Sequence, residues 1–266
     1  RGYGMTELCR PISFSAEDDT ELPQAIGRAV GEVRLRIVAD DGAELAAGET
    51  GVIVYQGPNV TPGYLGAAAG SGRTADGWFI SGDLGHLSED GWLAISGRAK
   101  DIIIRGGHNI DPALIEEALQ NHAAVETCAA VGQPDGYAGE LPVIYAVLKP
   151  EARATIEELQ DFMADRIAER PALPKAVYLL DEMPLTAVAK IFKPALRLDA
   201  ARRAFTAALA PLAEVGIAVA VEVSPGSQAP WQAAVTLGGG GDRQATEARV
   251  LAALGVFDTG IDITWS

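Results

Sequence analysis

Apolar and polar positions fall into stretches of different period. Up to about residue 98 the period is mostly two. Val33-Arg34-Leu35-Arg36-Ile37-Val38 alternates apolar with polar, as a half-buried strand does. Asp40-Asp41-Gly42 follows as a turn, and Gly51-Val52-Ile53-Val54-Tyr55 reads as a short apolar strand. Leu84 to Leu87 and Trp92 to Ile95 flank Ser88-Glu89-Asp90-Gly91, which predicts a hairpin. Beyond residue 101 helical spacing enters. Asp111-Pro112 predicts an N-cap with proline at the first helical position, and Leu114, Ile115, Ala118 and Leu119 form the apolar stripe behind it. Val125 to Val131, Leu141 to Leu148 and Ala176 to Leu180 read as strands. Thr155 and Glu158 match a capping box, with Ile156, Leu159, Phe162, Met163 and Ile167 as the buried face of its helix.

After residue 198 the pattern predicts a helix at about 199–214, strands at 217–223 and 231–237, a helix at 243–254 and a strand at 260–265. Ser224-Pro225-Gly226-Ser227 separates the first two strands. The run Gly238 to Gly241 precedes a helix, as phosphate-cradling loops do, but it lacks the Lys-Ser/Thr of a P-loop and reads as a flexible connection. The polar stretch Gly97-Arg98-Ala99-Lys100-Asp101 marks a boundary, placed at Lys100. The expected fold class is α+β: a β-rich subdomain over 1–99, a small α/β domain over 100–198, and an extra α-β-β-α-β unit over 199–266 with an antiparallel sheet.

Composition narrows the partners. Of 266 residues, 48% are hydrophobic, enough for a packed core. The formal charge of −15 argues against a nucleic-acid partner, because phosphate backbones repel it. It does not exclude a small phosphate ligand, which responds to local cations. The two cysteines, Cys9 and Cys128, lack metal-like spacing and read as ordinary reduced thiols. No apolar run has the length of a membrane span, and the cytoplasm is the expected compartment. The chain opens at Arg1, without an initiator methionine and inside what looks like a functional loop, which suggests part of a longer protein.

Four stretches carry chemistry. They are Tyr3-Gly4-Met5-Thr6-Glu7; Gly77-Trp78-Phe79-Ile80-Ser81-Gly82-Asp83-Leu84-Gly85; Gly97-Arg98-Ala99-Lys100-Asp101 with Gly106-Gly107-His108-Asn109-Ile110; and Pro184-Leu185-Thr186-Ala187-Val188-Ala189-Lys190-Ile191. In order and spacing they resemble the adenylate-forming superfamily of acyl-CoA synthetases, peptide-synthetase adenylation domains and luciferases, over about residues 1–198.

The resemblance implies an AMP-forming acid–thiol ligase using ATP, Mg²⁺ and coenzyme A. Adenylation brings a carboxylate against the α-phosphate of ATP, so the site needs cations and oriented donors. Lys190 is the implied catalytic cation; by itself it would be an exposed lysine like most others. Glu7 is the implied Mg²⁺ ligand, a hard oxygen donor, and Thr6 offers a hydroxyl to phosphate, although the pair equally suits a cap. Tyr3, with Gly4, matches the residue that stacks on adenine, or packs in a core. Asp83 can accept two hydrogen bonds from a ribose diol, or sit in a turn. Arg98 supplies planar donors to the same ribose, or a surface ion pair. Lys100 matches the hinge between the two domains of the family. Gly106 and Gly107 match glycines lining the pantetheine tunnel, or form a plain turn. His108 is given no catalytic role.

Two departures stand out. Ala189 occupies a position where the family usually has glycine, and its methyl beside Lys190 restricts the loop, although alanine fits most backbone conformations. Ser81 replaces the usual threonine. The phosphate loop and most of the acyl pocket lie in no part of these 266 residues. The leading reading is therefore the C-terminal part of an ATP-dependent carboxylic, here fatty, acid–CoA ligase, inactive without its N-terminal part. The alternatives are an adenylation domain loading a carrier protein and a non-catalytic scaffold. The acid, the role of 199–266 and the oligomeric state stay open.

Overall fold

The structure is a computed structural model that describes residues 2–9, 13–14, 25–66, 70–240 and 242–266. Arg1 and Gly241, which belong to stretches singled out above, lie outside the described residues. The chain divides into two compact units, Arg1–Asp101 and Ile102–Ser266. Among the described residues the first is β-rich, with a single 3-10 turn, and the second mixes helix and strand, so the α+β class holds.

The first unit is built on one antiparallel sheet. Its strands are β1 (Gly2–Tyr3), β2 (Ser13–Phe14), β3 (Ala25–Ala29), β4 (Arg34–Val38), β5 (Gly51–Gln56), β6 (Phe79–Leu87) and β7 (Leu93–Arg98), in the order β1-β2-β3-β7-β6-β5-β4. The alternation read at residues 33–38 works as expected: Val33 and Ile37 join Leu8, Ile53, Tyr55, Phe79 and Leu93 in the core. Arg36 stays on the other side, 4.3 Å from the Trp78 ring centroid, a cation–π contact. The 84–95 hairpin forms, but β6 starts at Phe79. Asp83 is therefore a strand residue rather than a turn residue.

In the second unit, β8 (Ile103–Arg105), β9 (His108–Ile110), β10 (Val125–Asp135), β11 (Gly139–Leu148) and β12 (Ala176–Leu179) form a five-stranded sheet, with β12 parallel to β11. Helices α1 (Pro112–Gln120) and α2 (Ile156–Ala164) pack on it. Asp111 caps α1 by accepting the Ala113 N–H at 2.9 Å, and Thr155 and Glu158 complete a reciprocal capping box on α2. Two stripe residues do not face the core. Leu114 is 41% and Ile156 47% exposed. Pro112 is buried with Ile115, Ala118 and Leu119 instead, so the stripe of α1 starts two residues earlier.

Helix α3 (Lys193–Glu214) begins six residues before the expected start, with Pro194 in its first turn as the signal. It runs without a break between two cores. Leu196 and Ala200 pack with Ala129, Val131, Val143 and Tyr145. Ala201, Phe205, Leu209 and Leu212 pack against the strands β13 (Ala218–Pro225), β14 (Trp231–Gly238) and β15 (Thr259–Trp265) and helix α4 (Arg243–Leu254). The expectation of a purely antiparallel sheet here is overturned. β13 and β14 are antiparallel, but β14 and β15 are parallel. The reason is α4: a helical crossover returns the chain to the end where β14 began. Asp242 caps α4, accepting the Ala245 N–H at 3.1 Å, so a carboxylate already occupies that helix N-terminus.

Candidate active site

In the first unit, the register of β6 and β7 sets Asp83 opposite Arg98. Directly opposed side chains share a face, and Arg98 Nε lies 3.4 Å from Asp83 Oδ1. Tyr3 on β1 donates its hydroxyl to the other oxygen, Oδ2. The strand is bulged between Leu84 and Gly85, and Ser81 braces it: the Asp83 N–H donates to Ser81 Oγ at 2.9 Å, and the Ser81 hydroxyl donates to the Ile53 carbonyl at 2.7 Å. Asp83 is only 8% exposed, so its charge requires these partners. A carboxylate has about four acceptor positions; Tyr3 and Arg98 use two and leave two. Burial, and then the Asp83 carboxylate, hold the Tyr3 hydroxyl well above the ordinary tyrosine range, so it stays a donor. The Tyr3 ring is half-buried, 6.2 Å from that of Tyr55.

Glu7 sits in a single turn of 3-10 helix, Thr6–Leu8, anchored by the fully buried Leu8. The Thr61 N–H donates to the Glu7 carbonyl at 2.7 Å, and Asn59 Nδ2 donates to the Leu8 carbonyl at 2.8 Å. Gly4 and Thr6 are exposed beside it. The Tyr64 hydroxyl donates to Glu7 Oε1 at 2.9 Å, and this bond raises the tyrosine's pKa. Among the described residues no group of three or more His, Cys, Asp or Glu side chains converges on a metal site. A single carboxylate still fits Mg²⁺, which keeps several waters and is held by one or two carboxylates plus substrate phosphates.

In the second unit, Lys190 is exposed at the end of a tight turn. Leu185 and Ile191 bridge antiparallel. The Thr186 N–H donates to the Lys190 carbonyl at 2.7 Å, and the Lys190 N–H donates to Thr186 Oγ1 at 3.1 Å. Ala189 has φ of +57°. The methyl does restrict the loop: the turn needs the left-handed region, one of the conformations alanine tolerates poorly, at about 1–2 kcal/mol for an L-residue. Three residues on, Lys193 Nζ pairs with Glu116 Oε1 of α1 at 2.8 Å, and that carboxylate oxygen also accepts the Ala130 N–H at 2.8 Å. The turn is thus anchored by the start of α3. Nearby Cys128 is buried, and its thiol is pushed up to about 12, by burial first and then by Glu116. Cys9, the other free thiol, is exposed.

Gly106 and Gly107 form the two-residue turn of the β8–β9 hairpin, with φ of +55° and +85°. Positive φ at both central positions is the type I′ pattern that glycine suits. The Gly106 N–H donates to the Ala138 carbonyl at 2.7 Å. Beside it opens a cleft of about 460 Å³ whose walls include Arg105, Gly106, His108, Tyr137 and Arg170. Lys100 lies in the turn after Arg98, where the Asp101 N–H donates to the Arg98 carbonyl at 2.9 Å, directly before the division between the units.

Sequence reasoning did not find Tyr64, the Lys193–Glu116 pair, Tyr137 or Arg170. Tyr64 had a local signal, an aromatic after Pro62-Gly63. The others become partners only through pairings distant in sequence.

The Asp83 cluster, the Lys190-bearing turn and the glycine hairpin lie on the motifs whose order and spacing resemble the adenylate-forming enzymes. Residues 1–65 match the family model for AMP-binding enzymes, and residues 114–190 match that for the AMP-binding enzyme C-terminal domain. The chain belongs to the adenylate-forming superfamily and carries its C-terminal domain.

Its relatives are acid–CoA ligases. Marinolic acid–CoA ligase of Pseudoalteromonas sp. (strain SANK 73390) is 42% identical over 204 residues, 74% of this chain and 31% of that protein. Long-chain-fatty-acid–CoA ligase of Bacillus subtilis (strain 168) is 38% identical over 194 residues, 72% and 34% respectively. The solved structure of o-succinylbenzoate CoA synthetase from Bacillus subtilis with its acyl-adenylate intermediate superposes with a TM-score of 0.68 at 33% identity, covering 74% of this chain and 40% of that one. The chain therefore spans about a third of the length of these two ligases. Among the described residues no helix is long and apolar enough to cross a membrane.

Proposed function

We propose that this chain is the C-terminal portion of an ATP-dependent carboxylic acid–CoA ligase working on fatty-type acids in the cytoplasm. The acid and ATP give an acyl-adenylate and pyrophosphate. The CoA thiol then attacks the adenylate carbonyl, the acyl–phosphate bond breaks, and the thioester leaves with AMP and a proton. The observation that carries this reading is Lys190, an exposed cation on a pinned turn at the end of the segment matched to the C-terminal domain model.

Lys190 neutralises charge gathering on the α-phosphate during adenylation. Asp83 uses its two remaining acceptor positions on the ribose diol, with Arg98 as a donor beside it. Tyr3 and Gly4 face the adenine, and Thr6 donates to phosphate oxygens. Glu7 holds Mg²⁺, which supplies charge neutralisation for the ATP phosphates. Residues 1–99 belong to the large domain, 100–198 form the small one, and Lys100 is the hinge between them. Gly106, Gly107 and the adjoining cleft take the pantetheine and nucleotide of CoA, where Arg105, His108 and Arg170 suit phosphate. The phosphate loop and acyl pocket come from an N-terminal part of the same enzyme.

The test is acid-dependent ATP–pyrophosphate exchange, with CoA thioester formation, by the full-length product against a panel of fatty and aromatic acids. Exchange with thioester formation on free CoA is expected, fastest with fatty acids. Acyl transfer only to a carrier protein, or no exchange with any acid, would overturn the reading. Residues 1–266 alone are expected to show no exchange.

A further inference from the structure

The segment beyond residue 198 comes up to the cleft-side loop at Gly136. The loop that joins β10 to β11, Asp135-Gly136-Tyr137-Ala138, is folded by its own aspartate, whose Oδ1 accepts the Tyr137 and Ala138 N–H groups at 3.0 and 2.7 Å. Ala138 then receives the Gly106 N–H. On the loop's other side lies Val256, from the connection between α4 and β15. A Cβ at Gly136 would meet Val256 Cγ2 at 2.7 Å and its Cβ at 3.0 Å. Gly136 is not among the glycines with positive φ. Its lack of a side chain is therefore explained by Val256 and not by backbone conformation.

The unit carrying Val256 is held in place independently. α3 contributes Leu196 and Ala200 to one core and Phe205 and Leu209 to the other. Gln133 on β10 donates to the Ala200 carbonyl at 3.0 Å, and the Tyr145 hydroxyl donates to Asp199 at 2.9 Å. Val256 therefore occupies the space that a side chain at Gly136 would need, and neighbouring residues link it through Gly136 and Ala138 to the Gly106 N–H.

We propose that the 199–266 unit is a buttress for the thiol-accepting face, with Val256 a positioning residue that sets Gly106 through Gly136. This rests on the CoA-ligase reading for its catalytic consequence, but not for its structural one. Supporting shells of this kind hold reactive geometry to fractions of an ångström, and displacement by an ångström costs up to about a hundredfold in rate.

The test uses the full-length protein with three variants: Gly136→Ala, Val256→Gly and the two combined. Gly136→Ala is expected to raise the KM for CoA about tenfold while acid-dependent pyrophosphate exchange stays within about twofold. It should also speed amide hydrogen exchange at Gly106. Adding Val256→Gly should return both readouts toward wild type by making room for the methyl. Val256→Gly alone, at a position already 58% exposed, keeps the fold and should loosen the Gly106 amide. An unchanged CoA KM and Gly106 amide in both single variants overturns the proposal, as does failure of the double variant to rescue, or parallel loss of pyrophosphate exchange. If the wild-type protein forms no CoA thioester, the ligase reading fails, and the Gly106 amide still decides whether the buttress exists.

Discussion

Asp83 and Lys190 are held in opposite ways. Asp83 lies within a strand, nearly excluded from water, with donors arriving from β1 and β7. Lys190 is exposed, and its backbone N–H and carbonyl bond to Thr186 in the same turn. On the proposed function, Asp83 meets the same ribose in every cycle, a task for which a rigid, pre-paired carboxylate is suited. On the same proposal, Lys190 serves one step and leaves for the next, a task for which a short exposed turn is suited. The cost differs too. The Asp83 cluster is stabilising as long as each partner is present, whereas the Lys190 turn stores strain at Ala189.

The sharpest way to break this comparison is Lys190→Ala in the full-length protein. Adenylation, followed by pyrophosphate exchange, is expected to fall about a hundredfold or more. Thioester formation from preformed acyl-adenylate should stay within about twofold of wild type. Equal loss in both half-reactions would remove the idea of a cation used in one step only.

Asp83→Ala probes the anchored side. It leaves the Tyr3 hydroxyl and the Arg98 guanidinium without their shared acceptor, and unfolding in urea should show a loss of about 1–3 kcal/mol. Lys190→Ala, at an exposed position, should change that midpoint by about 0.5 kcal/mol or less. Similar losses for the two would erase the contrast.

Ala189→Gly sharpens the other side. Glycine adopts positive φ without penalty but has more freedom to lose on folding. The net expectation is a gain of about 0.5–1 kcal/mol, measured by thermal or chemical unfolding. A loss of stability would mean that the turn is not strained.

The smallest effect concerns the base of the Lys190 side. Asp199 on α3 would be raised by burial, but hydrogen bonds from Arg203, Arg202 and Tyr145 outweigh burial and hold it below the ordinary carboxylate range. A depressed folded pKa stabilises the fold above the unfolded value, about 3.9, and that contribution is lost as pH falls through the folded pKa. Wild type should therefore lose stability more steeply below about pH 4 than Asp199→Asn, and the two curves should run parallel above it. Parallel curves throughout would show that Asp199 is not a tie between α3 and the sheet.

Much of this molecule is legible by local rules. The Asp111 and Thr155 caps, the strand at residues 34–38 and the elements after residue 215 follow from spacing within a turn or two, where a residue and its neighbours decide the conformation. Errors cluster where a distant partner decides. Leu114 has the right spacing for the core, yet Pro112 takes the place. Asp83 beside Gly82 has turn chemistry, yet Arg98 across the hairpin and Tyr3 from the edge strand draw it into the sheet. The start of α3 at Lys193 is tied to α1 by the Lys193–Glu116 pair, a partner that helical spacing does not reveal.

By itself, then, the sequence determined most of the longer helices and strands, the motif order that marks an adenylate-forming enzyme, and the identity of Lys190, Glu7, Asp83 and Arg98 as candidates. Periodicity, caps and motif spacing are short-range properties, and 266 residues in order express them fully. Only the tertiary structure decided which oxygens of Asp83 are already engaged, that Ala189 sits in the left-handed region, that β15 runs parallel to β14, and that Val256 closes on Gly136. These depend on strand register and on helix α3 joining two cores, and contacts between residues far apart in the chain are set by the packing of whole elements, which no local pattern encodes.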